Sequence, residues 1–74
     1  MKEKLLTILK KVMETSKIDE TVSRKKLNAW DSLKHINLIV ELESEFDISI
    51  EPEEFELLTD FRSIEKLITE KTSV

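Results

Sequence analysis

The sequence predicts an all-α fold, a small four-helix bundle with three longer helices, a short third helix and a long first loop. The 74 residues include no glycine and one proline, so helix breakers are nearly absent. Apolar residues also recur at intervals of three and four, which is typical of amphipathic helices. A chain of this length buries only about 60% of the surface that its unfolded form exposes. We therefore expect one small domain over residues 1–74 and no enclosed catalytic cavity.

The first helix is predicted from about Glu3 to Glu14, because the apolar residues of this segment form one stripe. They are Leu5, Ile8, Leu9, Val12 and Met13. Residues 15–31 have no sustained period and are predicted to form a long loop, which isolated apolar anchors attach to the core. The anchors are Ile18, Val22, Leu27 and Trp30. A loop of this length in a small domain is usually functional.

Capping signals predict the other helices. Asp31 can accept hydrogen bonds from free backbone N–H groups at the start of a second helix that runs to about Phe46. Pro52 suits the first residue of a short third helix. Its predicted apolar contacts are Phe55, Leu57 and Leu58. Asp60 can cap the last helix, whose core face is predicted to contain Ile64, Leu67 and Ile68.

The second helix has more apolar surface than one core-facing stripe needs. At about 100° per residue, one arc is predicted to face the core and contains Leu38, Ile39, Leu42 and Phe46. A different arc, which we call the second stripe, contains Leu33, Ile36 and Val40. The polar wedge between the arcs contains Lys34, Asn37, Glu41, Ser44 and Glu45. The second stripe is either a partner surface rimmed by acids or an additional contact that the fourth helix covers.

Charge is distributed unevenly along the chain. Residues 1–27 carry eight basic and four acidic residues, a net charge of +4, whereas residues 28–74 carry four basic and twelve acidic residues, a net charge of −8. The run from Glu41 to Glu56 contains eight acidic residues and no basic one, and it would repel nucleic acid and anionic lipid and attract a basic protein surface. Equally, it is consistent with a solvated face that has no partner. The short basic clusters Lys10-Lys11 and Arg24-Lys25-Lys26 lack aromatic neighbours and are interpreted as solvating surface.

The chain contains no cysteine, so it can form no disulfide, no thiolate metal site and no thioester of its own. Its amino-terminal apolar run is shorter than that of a signal peptide. No window approaches the roughly 20 apolar residues that cross a bilayer. We therefore expect a cytoplasmic monomer that binds no metal, no membrane and no nucleic acid.

One short motif carries chemistry. The sequence Trp30-Asp31-Ser32-Leu33 places a serine in the first turn of the second helix, directly after the long loop. In isolation, such a serine is most simply a capping residue. In this chain, however, the loop would leave it accessible, and the helix N-terminus would favour an attached phosphate. An acidic and apolar surface also continues along the same helix.

From this motif onward, the sequence resembles the acyl carrier and peptidyl carrier protein family. The segments that match its second, third and fourth helices are WDSL at 30–33, LIVELESEFDISI at 38–50, PEEFELL at 52–58 and TDFRSIEKLI at 59–68. The resemblance implies that Ser32 carries 4′-phosphopantetheine, which a phosphopantetheinyl transferase transfers from coenzyme A. It also implies that Asp31 and Leu33 belong to the recognition motif. The implied partner-binding residues are Ile36, Val40, Glu41, Glu43 and Glu45.

The implied function is that of an acyl carrier protein, which is not an enzyme. Such a protein carries acyl or aminoacyl intermediates as thioesters on its arm, which explains how a chain without cysteine can act. The implied partners are an acyl- or aminoacyl-loading ligase and downstream synthase or transferase enzymes of lipid or polyketide biosynthesis. Fatty-acid carriers usually have acids where this chain has Lys34 and Asn37, and a glycine where it has Asp47. These departures favour a free-standing carrier in a specialised pathway.

Two other functions are compatible with a small acidic helical fold. A small acidic helical module that binds or inhibits a basic protein would use the same fold without a prosthetic group. An enzyme is disfavoured, because His35 lies one turn after Ser32 but no third group would orient it as a base. We expect His35 to be partly buried beside the loop and Trp30 to anchor that loop.

Overall fold

A computed structural model describes residues 2–72, and the predicted all-α architecture is confirmed within them. The four helices are α1 (Lys2–Met13), α2 (Ser32–Phe46), α3 (Pro52–Phe55) and α4 (Phe61–Thr72). In this part of the chain, the extended backbone pairs only at one isolated antiparallel bridge, between Ser23 and Asp60. The remaining three residues of the predicted domain lie outside the described range.

The core lies between α1, α2 and α4, with α1 packed against both of the other long helices. The predicted stripe of α1 is buried along its whole length. The largest side chains with almost no exposed surface are Leu5, Leu9, Met13, Leu38, Leu42, Leu58, Ile64 and Ile68. The core is therefore continuous from the first helix to the last, and it fixes the orientation of α2.

Local chemistry sets the helix starts, as predicted. The Asp31 carboxylate accepts a hydrogen bond from the backbone N–H of Lys34 at 2.9 Å, which caps α2. Pro52 is the first residue of α3. The Asp60 carboxylate accepts from the backbone N–H of Ser63 at 2.7 Å, at the start of α4. Each of these bonds satisfies a backbone donor that has no partner within its own helix.

The end of α2 uses an unusual residue for its geometry. Asp47 follows the helix with φ of 53°, the left-handed conformation that glycine adopts most easily. Aspartate is one of the few other residues that tolerate it. The next backbone N–H, that of Ile48, returns to the carbonyl of Glu43 at 3.2 Å. This arrangement ends the helix without a glycine.

The long loop is attached to the bundle by side chains and by backbone bonds. Its predicted anchors Ile18, Val22 and Trp30 are buried, and Leu27 packs against the core while partly exposed. Two backbone bonds hold the middle of the loop against the start of α4. They run from Arg24 N–H to Thr59 O at 2.7 Å and from Phe61 N–H to Val22 O at 3.2 Å.

Two apolar predictions need correction. Leu57 is 62% exposed and supplies no core contact, because α3 ends at Phe55 and Leu57 lies in the turn that follows. Phe46 is only partly buried, because it is the last residue of α2. The ammonium group of Lys4 lies 5.0 Å from the centre of the Phe46 ring, as in a cation–π contact.

The second stripe is not covered by α4 or by any other described residue of the chain. Leu33 is 69% exposed, Ile36 48% and Val40 57%. By contrast, Leu38, Ile39 and Leu42 on the other arc of α2 are buried. The division of this helix into two apolar arcs is therefore correct, and only one of them faces the core.

Candidate functional site

Ser32 lies where the long loop between α1 and α2 ends and α2 begins. It is the first residue of the helix, and its side chain is exposed. The cap of the helix is Asp31, not Ser32, so the simplest structural role for this serine is already filled by its neighbour. The Ser32 hydroxyl is therefore accessible for other chemistry.

The Ser32 hydroxyl has one described side-chain partner. Nη2 of Arg24 donates a hydrogen bond to its Oγ at 3.3 Å. The sequence interpretation of Arg24-Lys25-Lys26 as solvating surface is therefore incomplete, because Arg24 is partly buried and faces the serine. No local pattern indicates this contact, since the two residues are eight positions apart and irregular loop separates Arg24 from the start of α2.

His35 and Trp30 form a buried pair beside this site. The indole Nε1 of Trp30 donates to His35 Nδ1 at 2.9 Å, and His35 Nε2 lies 2.7 Å from the carbonyl oxygen of Phe55. An indole N–H can only donate and a carbonyl can only accept. This network assigns the neutral histidine tautomer with its proton on Nε2.

Both ring nitrogens of His35 are therefore occupied, and neither is free to activate Ser32. His35 is 5% exposed, so it is more deeply buried than the sequence indicated. Trp30 is 2% exposed and anchors the loop as predicted. These two residues hold the segment that precedes Ser32.

The acidic residues predicted on the partner-binding surface have partners within the chain. Glu41 lies 3.4 Å from the ammonium group of Lys11, and Glu45 lies 3.3 Å from that of Lys4. The Glu43 carboxylate accepts a hydrogen bond from the backbone N–H of Ile50 at 2.9 Å. These acids thus stabilise contacts of α2 as well as lending negative charge to its surface.

Lys34 also differs from the solvated residue that the polar wedge predicts. Its ammonium group lies 3.0 Å from the Glu14 carboxylate, just beyond the end of α1. The side chain of Lys34 is only 22% exposed. The positive charge that follows Asp31-Ser32-Leu33 is therefore directed toward the end of α1 and is paired there with Glu14.

Asp60 lies at the start of α4, where the loop segment next to Arg24 is attached. Hydrogen bonds from Ser63, chiefly from its backbone N–H and then from its hydroxyl, hold the pKa of Asp60 below its ordinary value. Asp60 is also the bridge partner of Ser23, next to Arg24. The charged carboxylate thus stabilises the helix start to which the loop is attached.

The described residues offer no support for a metal site or for a membrane span. Within residues 2–72, no group of three or more histidine, aspartate or glutamate residues is arranged to hold a metal ion. No helix of the same range is both long enough and apolar enough to cross a bilayer. The candidate site consists of the exposed Ser32, its neighbour Arg24 and the second stripe that follows along α2.

The chain is similar to a known protein in its structure. No protein-family sequence model matches the chain, and no curated protein matches it significantly by sequence. Its structure is similar to the solution NMR structure of the holo acyl carrier protein from Geobacter metallireducens, with a TM-score of 0.83. The two are 31% identical, and the match covers 93% of this chain and 82% of that one.

This structural match defines the class of protein to which the chain belongs, which is a carrier protein and not an enzyme. With this identity and coverage, the chain belongs to the acyl carrier protein family. The family resemblance noted in the sequence is thereby confirmed, and with it the four-helix fold.

Proposed function

We propose that Ser32 is the attachment point of 4′-phosphopantetheine and that the chain carries acyl or aminoacyl groups on this arm. The observation that carries the proposal is the exposed Ser32 hydroxyl at the first residue of α2, with the cap supplied by Asp31. The structural relative is a holo acyl carrier protein, which supports a prosthetic group in this chain as well. When bound, the group supplies a thiol, which the chain itself lacks.

The residues around Ser32 fit this attachment. Asp31 fixes the first turn of the helix through its bond to the Lys34 N–H, so the serine is held on a rigid element. Attachment joins the Ser32 oxygen to a phosphorus atom of coenzyme A, while the hydroxyl proton and the nucleotide portion leave. We propose that the transferase supplies the base for this step, because both ring nitrogens of His35 have hydrogen-bond partners and the Asp31 carboxylate caps α2.

The second stripe is proposed as the surface that partner enzymes bind. Leu33, Ile36 and Val40 are exposed and begin directly beside Ser32, so a protein that contacts them also reaches the arm. The acids Glu41, Glu43 and Glu45 add negative charge to the same helix, which favours partners with basic surfaces. We propose a phosphopantetheinyl transferase, a loading ligase and a downstream synthase or transferase as these partners.

The proposed setting is a specialised pathway of lipid or polyketide biosynthesis, with residues 1–74 acting as one carrier domain in a cytoplasmic monomer. The support comes from the arm end of α2. Lys34 and Asn37 replace acids that fatty-acid carriers usually have, and Lys34 is tied to Glu14. An enzyme that requires negative charge at these two positions would bind this carrier poorly.

Intact mass spectrometry tests the attachment. The chain is coexpressed with a transferase of broad specificity, and the wild type should gain the mass of one phosphopantetheine group. Ser32→Ala should gain none. Ser44→Ala is the matched control, because Ser44 is another exposed serine of α2, and it should be modified like the wild type. An unmodified wild type would favour the rival function, an acidic module that binds a basic protein directly.

A further inference from the structure

Within residues 2–72, Arg24 is the only residue whose charged side chain contacts the Ser32 hydroxyl. Its Nη2 donates to Ser32 Oγ at 3.3 Å. None of the ion pairs described in this range involves Arg24. Among the described residues, no carboxylate forms an ion pair with this guanidinium, although acidic residues outnumber basic ones in the chain.

The backbone of Arg24 is held in place independently of its side chain. Its N–H donates to Thr59 O at 2.7 Å, and the neighbouring Val22 carbonyl accepts from the Phe61 N–H at 3.2 Å. The loop is thus fastened to the start of α4 on one side, while the guanidinium reaches the start of α2 on the other. This fastening keeps the guanidinium close to Ser32.

A phosphodiester on Ser32 would need a positive charge nearby to offset its own negative charge. Its negative charge would lie next to the carboxylate of Asp31, and like charges at close range repel. The α2 N-terminus offsets part of this repulsion through its dipole. A guanidinium has two parallel donors that match phosphate oxygens and bind them more strongly than they bind a neutral hydroxyl.

We propose that Arg24 is a phosphate-binding residue, which holds the base of the arm attached to Ser32 against the loop. This inference rests on the proposed function, because it requires the phosphodiester at Ser32. The Arg24 side chain would thus connect the prosthetic group to the loop that precedes the Asp-Ser-Leu motif. The arm is then held at its first bonds, and its thiol end remains free to move.

The test compares apo and holo forms of the wild type, Arg24→Gln and Lys25→Gln. Lys25 is the matched control, because it is the exposed neighbour of Arg24 and no described hydrogen bond or ion pair involves its side chain. Intact mass first establishes which proteins carry the arm. The ³¹P chemical shift of the phosphodiester and the ¹⁵N–¹H signals of the Arg24 side chain are then measured.

In the wild type, attachment of the arm should shift the Arg24 side-chain signals. The ³¹P signal of holo Arg24→Gln should differ from that of the wild type, and that of holo Lys25→Gln should not. High salt should move the wild-type ³¹P signal toward the Arg24→Gln position, since screening weakens the contact. The rise in melting temperature from apo to holo should also be smaller for Arg24→Gln than for the other two proteins.

The outcomes separate this inference from the function on which it rests. If the wild type gains no mass at Ser32, the proposed function and this inference both fail. If all three proteins are modified and share one ³¹P shift, the inference alone is overturned. Unchanged Arg24 side-chain signals between wild-type apo and holo forms would also overturn it. That comparison needs no variant and remains decisive if Arg24→Gln does not fold.

Discussion

The indole N–H of Trp30 donates a hydrogen bond to Nδ1 of His35 at 2.9 Å, with the ring centres 6.1 Å apart in the interior. Through Nε2, the same imidazole is bonded to the Phe55 carbonyl at 2.7 Å. One neutral ring therefore connects the last residue of the loop before Asp31, helix α2 and helix α3. This connection fixes the backbone that leads into Ser32.

Replacing Trp30 with phenylalanine should lower the free energy of unfolding by more than the loss of buried apolar area alone would. The variant keeps an aromatic ring but leaves His35 Nδ1 buried without a donor, which costs about 1–3 kcal/mol in free energy of unfolding. Urea unfolding of the two proteins measures this difference. In parallel, ¹⁵N NMR of the wild type should show a protonated Nε2 and an unprotonated Nδ1. The opposite tautomer would contradict the described network.

The two apolar arcs of α2 should respond differently to truncation. Leu42 has no exposed surface, so Leu42→Ala should lower the free energy of unfolding by about 2–5 kcal/mol. Val40 is 57% exposed, so Val40→Ala should cost less than about 0.5 kcal/mol. Val40→Ala is the matched control, being on the same helix. Equal losses in thermal unfolding would show that the second stripe is covered.

Asp60 should make the free energy of unfolding depend on pH. Because hydrogen bonds from Ser63 lower the pKa of Asp60 in the folded state, its contribution is complete above its ordinary value. The contribution disappears as the pH falls through the lowered value, below roughly pH 4. Asp60→Ala should cost about 1 kcal/mol near neutrality, typical of a lost helix cap. Urea unfolding of both proteins should show this gap closing in acid, and a constant gap would contradict the assignment.

Reversing Glu41 and Glu45 to lysine should slow association with the transferase at low salt, and the effect should shrink at high salt. The structure adds a complication, since these acids pair with Lys11 and Lys4 of α1. The double reversal should therefore also lower the free energy of unfolding, by about 0.2–1 kcal/mol for each lost pair.

A fourfold exchange separates the two effects. Adding Lys4→Glu and Lys11→Glu to the double reversal restores both pairs with opposite polarity. Stability should return toward that of the wild type, whereas the association rate should stay low if the α2 surface is what the partner binds. An association rate unchanged by the double reversal at low salt would place docking elsewhere on the chain.

The sequence by itself predicted the positions of the helices and the place of Ser32 at the start of the second helix. Asp31, Pro52 and Asp60 act within one turn of their own helix, so their roles can be predicted from neighbouring residues alone. The spacing of apolar residues also divided α2 correctly into two arcs. Ser32 could be singled out because its motif and its position after a long loop are both local features.

Only the tertiary structure decided which surfaces stay uncovered and which distant groups meet. Periodicity shows that the second stripe exists, but its exposure depends on where α1 and α4 pack. The contact of Arg24 with Ser32 spans an irregular loop, and that of His35 with Phe55 joins residues 20 positions apart. The path of such a loop is set by backbone bonds to other elements, here Thr59 and Phe61, and no local pattern encodes those bonds.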